Sequence, residues 1–362
     1  MEFCDLNEQY RLLEKPIQDS INKVLNHGKY ILGPEVEDLE SRLSSYTRAK
    51  HCITVANGTD ALQIALMSLG IGRDDEVITP GFTYVATAET IKLLGAVPVF
   101  VDIDDKYYNI DPKLINSAIT HKTRAIIAVS LYGQCADFDI INRIALDKGL
   151  TVIEDAAQSF GAEYKGKKSC ALSKIACTSF FPTKPLGCYG DGGAIFTDDD
   201  SLGAAARMIA RHGQSKKYSH EVLGVNSRLD TLQAAVLIQK LTLLEDEIYK
   251  RNKIAGLYNL GLENITELII PQIQDGRRSA YAQYTVRTKR RDELAAFLKS
   301  KQIPTSIHYP MPIYRQKAFY NSSLTLKQCE LVSSSVLSLP MSPYLKAENQ
   351  EHIISSIKEF FC

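Results

Sequence analysis

The sequence predicts an α/β fold: a mostly parallel seven-stranded sheet, followed by a smaller C-terminal α/β domain. Two observations point there. Between positions 50 and 200, short apolar runs alternate with helical segments, the order that builds βαβ units. The runs are near-continuous in Val and Ile, as strands covered on both faces are. A chain of 362 residues has room for two domains. The change of pattern after position 201 places the large domain, with its N-terminal helical segment, at 1–245 and the small one at 246–362.

The elements follow in order. A helix is expected over 7–27, ending by Gly28. The loop Gly28-Lys-Tyr30-Ile-Leu-Gly33-Pro34 leads to a second helix, to about Tyr46. Proline in its first turn and Glu35 and Glu37 at its positive end mark that start. A strand at 52–56, the polar turn Asn57-Gly58-Thr59-Asp60 and a helix at 61–69 come next. The second strand, 76–80, runs into Gly81-Phe82-Thr83-Tyr84 and a helix at 85–94. Further strands are expected at 98–103, 124–130, 150–155, 175–181 and 193–197, the last antiparallel. Helices at 114–119 and 137–148 lie between them. Beyond the sheet come a helix at 201–211, a polar loop to 218, and one long helix from 229 to 250 continuing towards Tyr258. The small domain is expected to hold a strand at 280–287 and a helix at 293–301. A strand from Ile303 then leads into a proline-rich loop, and an amphipathic helix at 349–361 closes the chain.

Composition excludes several classes. The 42 basic and 42 acidic residues balance, which argues against a general nucleic-acid or membrane-surface protein. No apolar run approaches the ~20 residues of a membrane span, and the first residues lack a basic-then-apolar leader pattern. The eight cysteines are scattered without a C-x-x-C pair. Reduced thiols in a cytoplasmic protein, with no metal site, are the expectation.

The chemistry centres on Lys184, set between Pro182 and Pro185 and surrounded by Ser179, Gly187, Gly190, Gly192 and Gly193. Prolines stiffen such a loop and glycines let backbone approach closely. A lysine held this way is a nucleophile once its surroundings lower its pKa. Asp155 ends the fifth strand, on the side where ligands gather in open α/β sheets; acids there also serve as caps and turn formers. The turn at Asn57–Asp60 either offers helix N–H groups to an anion or only caps the helix. Phe82, at the end of the second strand, either stacks on a flat ring or packs in the core. Together these residues match what pyridoxal phosphate needs: an amine for an imine, a carboxylate for the pyridine nitrogen, a helix start with a hydroxyl for the phosphate, and an aromatic cover.

The chain resembles the DegT/StrS family of pyridoxal-phosphate-dependent sugar-nucleotide aminotransferases, which have the aspartate-aminotransferase-like fold type I. The motifs that carry the resemblance span essentially the whole chain. They are Gly28-Lys-Tyr-Ile-Leu-Gly-Pro34, Asn57-Gly-Thr-Asp60, Pro80-Gly-Phe-Thr-Tyr84, Glu154-Asp-Ala-Ala-Gln158, Ser179-Phe-Phe-Pro-Thr-Lys184, Arg211-His-Gly213 and Asn226-Ser-Arg-Leu-Asp230. The resemblance implies that Lys184 forms the imine and that Asp155 pairs with the pyridinium nitrogen. Gln158 would lie beside the ring hydroxyl, and Phe82 would stack on the ring. Gly58, Thr59, Asp60 and Ser179 would bind the phosphate. Asn226 would reach the phosphate of the neighbouring subunit's cofactor, making the active unit a homodimer. His308 and Tyr309 are either packed side chains or contacts to the sugar nucleotide across the dimer interface. Arg228 is either a surface ion pair or a partner for a diphosphate or a sugar carboxylate. Tyr30 and His212 are further substrate candidates.

The segments 129–137 and 181–193 resemble aminotransferases acting on a UDP-linked 3-keto-2-acetamido uronic acid. That implies amino transfer from L-glutamate and a 3-amino sugar for surface polysaccharide such as O-antigen. A 4-keto-6-deoxy sugar nucleotide is the alternative substrate, and a non-catalytic regulator on the same fold the alternative class. Lys184 counts against the dehydratase relatives, which use histidine there.

Overall fold

The computed structural model describes residues 1–362. Helices α1 (Leu6–His27) and α2 (Pro34–Thr47) precede the sheet. Its seven strands are β1 (His51–Val55), β2 (Glu76–Pro80), β3 (Val97–Val101), β4 (Thr123–Val129), β5 (Thr151–Asp155), β6 (Ile175–Ser179) and β7 (Gly193–Thr197). Their order across the sheet is β1-β7-β6-β5-β4-β2-β3. The block from β6 to β3 is parallel, and β7 runs antiparallel to both β1 and β6. The seven expected strands are therefore present, with β7 in the expected sense. All eight cysteines are free.

Side-chain alternation divides each strand between two cores. Ile127 and Ile153 pack on one face with α3 (Gly58–Ser68). Ile126 and Val152 pack on the other with Phe138 and Ile141. Short helices α4 (Ala86–Leu93) and α5 (Pro112–Ala118) join β2 to β3 and β3 to β4. Helix α6 (Phe138–Lys148) joins β4 to β5, and α7 (Asp200–Ile209) follows β7 on the α3 face. Around Phe160, Phe180 and Phe196 a third cluster draws in α2 and α8 (Thr231–Leu241).

Three expectations need correction. The single long helix from 229 is two helices, α8 and α9 (Leu244–Leu262). The chain breaks at Thr242, whose hydroxyl donates to Gln239 O at 2.6 Å, a local bond that competes with helix continuation. The strand at 280–287 shortens to β8 (Tyr284–Arg287). The strand expected from Ile303 is only a single bridge, Ser306 to Ser338. The partner of β8 is instead β9 (Val336–Leu339), which follows α11 (Lys327–Ser335) directly, without a glycine or proline to signal it. The polar loop after Arg211 contains a small hairpin, Gln214–Lys216 with Ser219–His220. Helices α10 (Arg291–Ser300) and α12 (Ala347–Phe361) cover the β8–β9 ribbon. They bury Leu294, Leu298, Ile353 and Ile357 with Tyr258 and Tyr284. Helix α9 contributes Leu244 and Ile248 to the large-sheet core and Ile254 and Leu262 to this one. No helix is long and apolar enough to cross a membrane.

Glu154, next to Asp155 on β5, projects to the opposite face and is fully buried. It accepts from Ser169 Oγ at 2.8 Å, Cys170 N at 3.0 Å and Leu172 N at 3.2 Å. Burial pushes its carboxyl from 4.5 up to about 7, against the lowering effect of those donors. With the folded-state value raised, the folded protein holds a proton that the unfolded chain has released. The group's contribution is therefore most favourable below about pH 4.5 and is lost as pH rises through about 7. Thermal unfolding of the protein and of Glu154→Gln across this window should show a fall in stability with pH that the variant lacks.

Candidate active site

Strands β5 and β6 are parallel neighbours, with Asp155 in register with Cys177. Their carboxyl ends therefore deliver Asp155 and the lysine loop side by side. After Ser179 the chain turns: Phe180 N donates to Gly192 O at 2.7 Å, and Lys184 N to Phe181 O at 2.9 Å. This ends β6 two residues before the expected Phe181. The turn is tight enough that a Cβ on Gly187 would lie 2.4 Å from Pro182 O, so only glycine fits. Gln233 on α8 pins the far end of the loop. Tyr189 N donates to its Oε1 at 2.8 Å, and its Nε2 donates to Tyr189 O at 3.2 Å.

Lys184 is half-buried. Burial lowers its pKa from 10.5, and the Asp155 carboxylate partly restores it. Asp155 is buried and accepts from Thr87 Oγ1 at 2.8 Å and Ala157 N at 3.2 Å. Burial raises its carboxyl, while Thr87, Ala157 and the Lys184 charge hold it down. The pair thus combines an amine shifted towards its nucleophilic form with a carboxylate fixed by two donors.

Gln158 lies beside them, and its amide orientation follows from its partners. Tyr132 N–H donates at 2.8 Å, so that contact is Oε1. Nε2 then donates to the Tyr309 hydroxyl at 3.1 Å, which leaves the Tyr309 proton free for another acceptor. The Tyr309 ring packs edge-on to Phe82 at 6.2 Å and against Tyr84 at 6.0 Å. Phe82 is buried within the aromatic cluster of Tyr108, Tyr132 and Tyr314.

Three backbone segments meet at the start of α3. Asn57 caps it, its side chain accepting from Asp60 N at 2.8 Å. The Asp60 amide is therefore already used, whereas the Gly58 and Thr59 amides have no acceptor within the helix. A Cβ on Gly58 would sit 2.7 Å from Ser179 Cβ. A Cβ on Gly193 would sit 2.5 Å from the Asn57 carbonyl. Two glycines therefore allow the helix N-terminus, the Ser179 hydroxyl and the start of β7 to share one small space, the arrangement suited to a phosphate.

Tyr309 and His308 lie beside this chain's own Lys184 site, Tyr309 through its bond to Gln158 and His308 through the Lys184 charge. Lys184 is the charge that acts on His308, and with burial it holds the imidazole down to about 4. Four candidates lie apart. Asn226, Tyr30 and His212 are exposed and Arg228 is half-buried; none is hydrogen-bonded to Lys184, Asp155 or Gln158. Asn226 is backbone-paired with Arg211, beside Ser227, whose hydroxyl accepts from Ala56 N at 3.0 Å. Arg228 lies near Arg211, with no carboxylate bound to it. Two site residues went unread in the sequence, Thr87 and Tyr132. Thr87 lies four positions after Thr83, which stands just ahead of α4, and their hydroxyls are 3.5 Å apart, so two threonines at that spacing were the available signal. Tyr132 has φ 58°, rare for a residue other than glycine, and only the adjacent Gly133 hints at the sharp turn.

In protein freed of bound ligand, competitive acetylation read by mass at the Lys184 peptide should titrate below 10.5. Because the Asp155 charge raises the amine, Asp155→Asn should move that midpoint lower still. A midpoint at the ordinary lysine value, or an upward move in the variant, would contradict the geometry.

Residues 12–358 match the model of the DegT/DnrJ/EryC1/StrS aminotransferase family. A UDP-2-acetamido-2-deoxy-3-oxo-D-glucuronate aminotransferase from Pseudomonas aeruginosa is 57% identical over 357 residues, covering 99% of both chains. A pleiotropic regulatory protein from Geobacillus stearothermophilus is 47% identical over 362 residues, covering 99% of this chain and 97% of its own. The solved structure of DesV from S. venezuelae in complex with a ketimine intermediate superimposes with a TM-score of 0.97 at 40% identity, over 99% of this chain and 98% of that one. The chain belongs to the DegT/DnrJ/EryC1/StrS aminotransferase family, and its α/β architecture is that of the pyridoxal-phosphate-dependent aminotransferases.

Proposed function

We propose that this enzyme moves an amino group from L-glutamate to C3 of a UDP-linked 3-keto-2-acetamido uronic acid. The product is a 3-amino sugar nucleotide for surface polysaccharide such as O-antigen, made in the cytoplasm. The observation that carries the reaction class is the Lys184 amine beside a buried, two-donor Asp155 carboxylate. The substrate rests on the 57% identity, end to end, to the Pseudomonas aeruginosa enzyme.

The residues fit pyridoxal phosphate. The cradle at Gly58, Thr59 and Ser179 takes a phosphate, and a side chain on Gly58 would fill it. Bound there, the cofactor supplies an aldehyde for amines and a ring that draws electrons from the adjacent carbon. Asp155 would pair with the ring nitrogen and hold a proton on it. Gln158 and the Tyr309 hydroxyl would meet the ring's polar substituents, and Phe82 would give it an apolar neighbour. Lys184, once its amine is free, removes a proton from the substrate carbon and returns it at the other end of the transfer.

A homodimer completes the site in this reading, with Asn226 reaching the neighbouring subunit's phosphate. Exposed apolar side chains support a second copy of the chain as partner: Leu223 is 91% exposed and Tyr218 82%, with Tyr30, Ile31 and Val222 also open. Arg228, free of a carboxylate, suits the sugar carboxylate or the diphosphate; Tyr30 and His212 are the further substrate candidates. The large unit is taken as 1–245 and the small unit as 246–362, with α9 bridging them. A 4-keto-6-deoxy sugar remains the alternative substrate. The regulatory name of one relative favours a second reading, a non-catalytic regulator, and the intact Lys184, Asp155 and Gln158 weigh against it.

Purified protein should show the visible band of lysine-bound cofactor, and L-glutamate should bleach it; the keto sugar nucleotide should restore it. A protein colourless after incubation with pyridoxal phosphate would favour the regulator. In steady state, double-reciprocal plots should be parallel. Arg228→Ala should raise the KM for the sugar nucleotide by roughly tenfold or more, the worth of one charge-assisted hydrogen bond, with glutamate bleaching unchanged. Equal KM in variant and parent would remove Arg228 from the substrate site.

A further inference from the structure

We propose that Thr87 is a positioning residue: its hydroxyl keeps Asp155 an oriented carboxylate at the stage of turnover when the Lys184 amine carries no charge. The inference rests on the reading of Lys184 as the reacting amine and Asp155 as the partner of the ring nitrogen.

Thr87 and Asp155 meet from separate parts of the sheet. Asp155 ends β5, and Thr87 lies in the first turn of α4, which follows β2. Strand β4 stands between β2 and β5, so the contact spans one strand. Thr87 Oγ1 lies 2.8 Å from Asp155 Oδ2, and Ala157 N lies 3.2 Å from Oδ1. Each carboxylate oxygen therefore holds one donor, and Thr87 supplies the one that comes from a side chain. Both residues are buried, so water does not compete for the bond.

A threonine inside a helix commonly returns its proton to the carbonyl one turn back. Thr90, on the same helix, does so, donating to Ala86 O at 3.0 Å. Thr87 spends its proton on Asp155 instead, because a carboxylate only accepts. Thr83 is then the donor of the longer, 3.5 Å contact between the two threonine hydroxyls. The branched Cβ limits Thr87 to few rotamers, which fixes the direction of its bond.

Four ionisable groups lie within reach of the Asp155 charge. Glu154 precedes it on β5, Cys177 is beside it on β6, and Tyr309 and Lys184 come from loops. Burial favours the protonated acid, and Lys184 is the one cation that opposes this. That support vanishes when Lys184 is a neutral amine, the form that takes a proton from the substrate carbon. The Thr87 bond does not depend on the charge of Lys184. It therefore holds the acid ionised, with an oxygen aimed at the ring nitrogen, when the lysine no longer can.

The test is a carbon spectrum of the full-length protein, freed of cofactor, with 13C-labelled aspartate carboxyls. The Asp155 signal is assigned by its loss in Asp155→Asn. Its titration midpoint should rise by about one pH unit or more in Thr87→Val, the worth of one hydrogen bond to a charged group. Thr87→Ala, which also lacks the hydroxyl, should show the same rise, and Thr87→Ser should keep the parent value. The rise should persist in the Lys184→Ala background, where no amine charge contributes. In holoenzyme, Thr87→Val should lose about tenfold in kcat with an unchanged KM for the sugar nucleotide, and Thr87→Ser should retain kcat. A midpoint unmoved in Thr87→Val and Thr87→Ala, an equal rise in Thr87→Ser, or a rise confined to protein that keeps Lys184 overturns the proposal. The midpoint is read without cofactor or catalysis. An unmoved midpoint in an active enzyme removes Thr87 alone. A parent that fails to transaminate while Thr87→Val still shifts Asp155 would sink the enzyme reading and leave the hydroxyl's hold on the carboxylate standing.

Discussion

Most of the structure depends on placing one amine and one carboxylate of opposite charge in a common desolvated pocket. Burial drives both towards neutrality, the Lys184 amine downward and the Asp155 acid upward, while each favours the charged form of the other. Such a pair persists only if the backbone holds it. The parallel register of β5 and β6 does that on one side. The loop from Ser179 to Gly193, pinned by Gln233 and folded back through Gly187, does it on the other. The glycines of this loop are therefore structural requirements. The absence of side chains at Gly193 and, opposite it, Gly58 lets α3, β6 and β7 converge on one small space.

Tyr132 is the second organising residue. Its N–H sets the orientation of the Gln158 amide, and its hydroxyl reaches the His308 carbonyl. One strained residue thus connects the sheet to the segment carrying His308, and the backbone cost of φ 58°, of order 1–3 kcal/mol for such conformations, is offset by its two hydrogen bonds. The adjoining Gly133 accepts from Ala280 N at 2.9 Å, and a Cβ there would lie 2.6 Å from Tyr281 N. Residues 131–133 and 280–282 approach closely at this point because a side chain is absent.

The sheet was legible because its strands are buried on both faces, which forces continuous apolar runs such as 124–129. Lys184 and Asp155 were legible because rigid loops and strand ends concentrate unusual residue types; Gln158 came only with the family resemblance. Other features were not legible, and for physical reasons. Thr242 ends a helix by a side-chain bond that composition cannot register. Strand β9 follows α11 without any breaker. Thr87 is an ordinary buried hydroxyl whose role arises from pairing with Asp155 on a distant segment. The placement of His308 near Lys184 depends on the fold of residues 303–309 against Ser338, a long-range pairing that no local pattern announces.

The most direct test of the central claim is to reduce the purified enzyme with borohydride after loading with pyridoxal phosphate, digest it, and locate the modified peptide by mass. The account predicts a single phosphopyridoxyl group on the peptide bearing Lys184, abolished in Lys184→Ala. Modification of another lysine in the parent, or none at all, would contradict it.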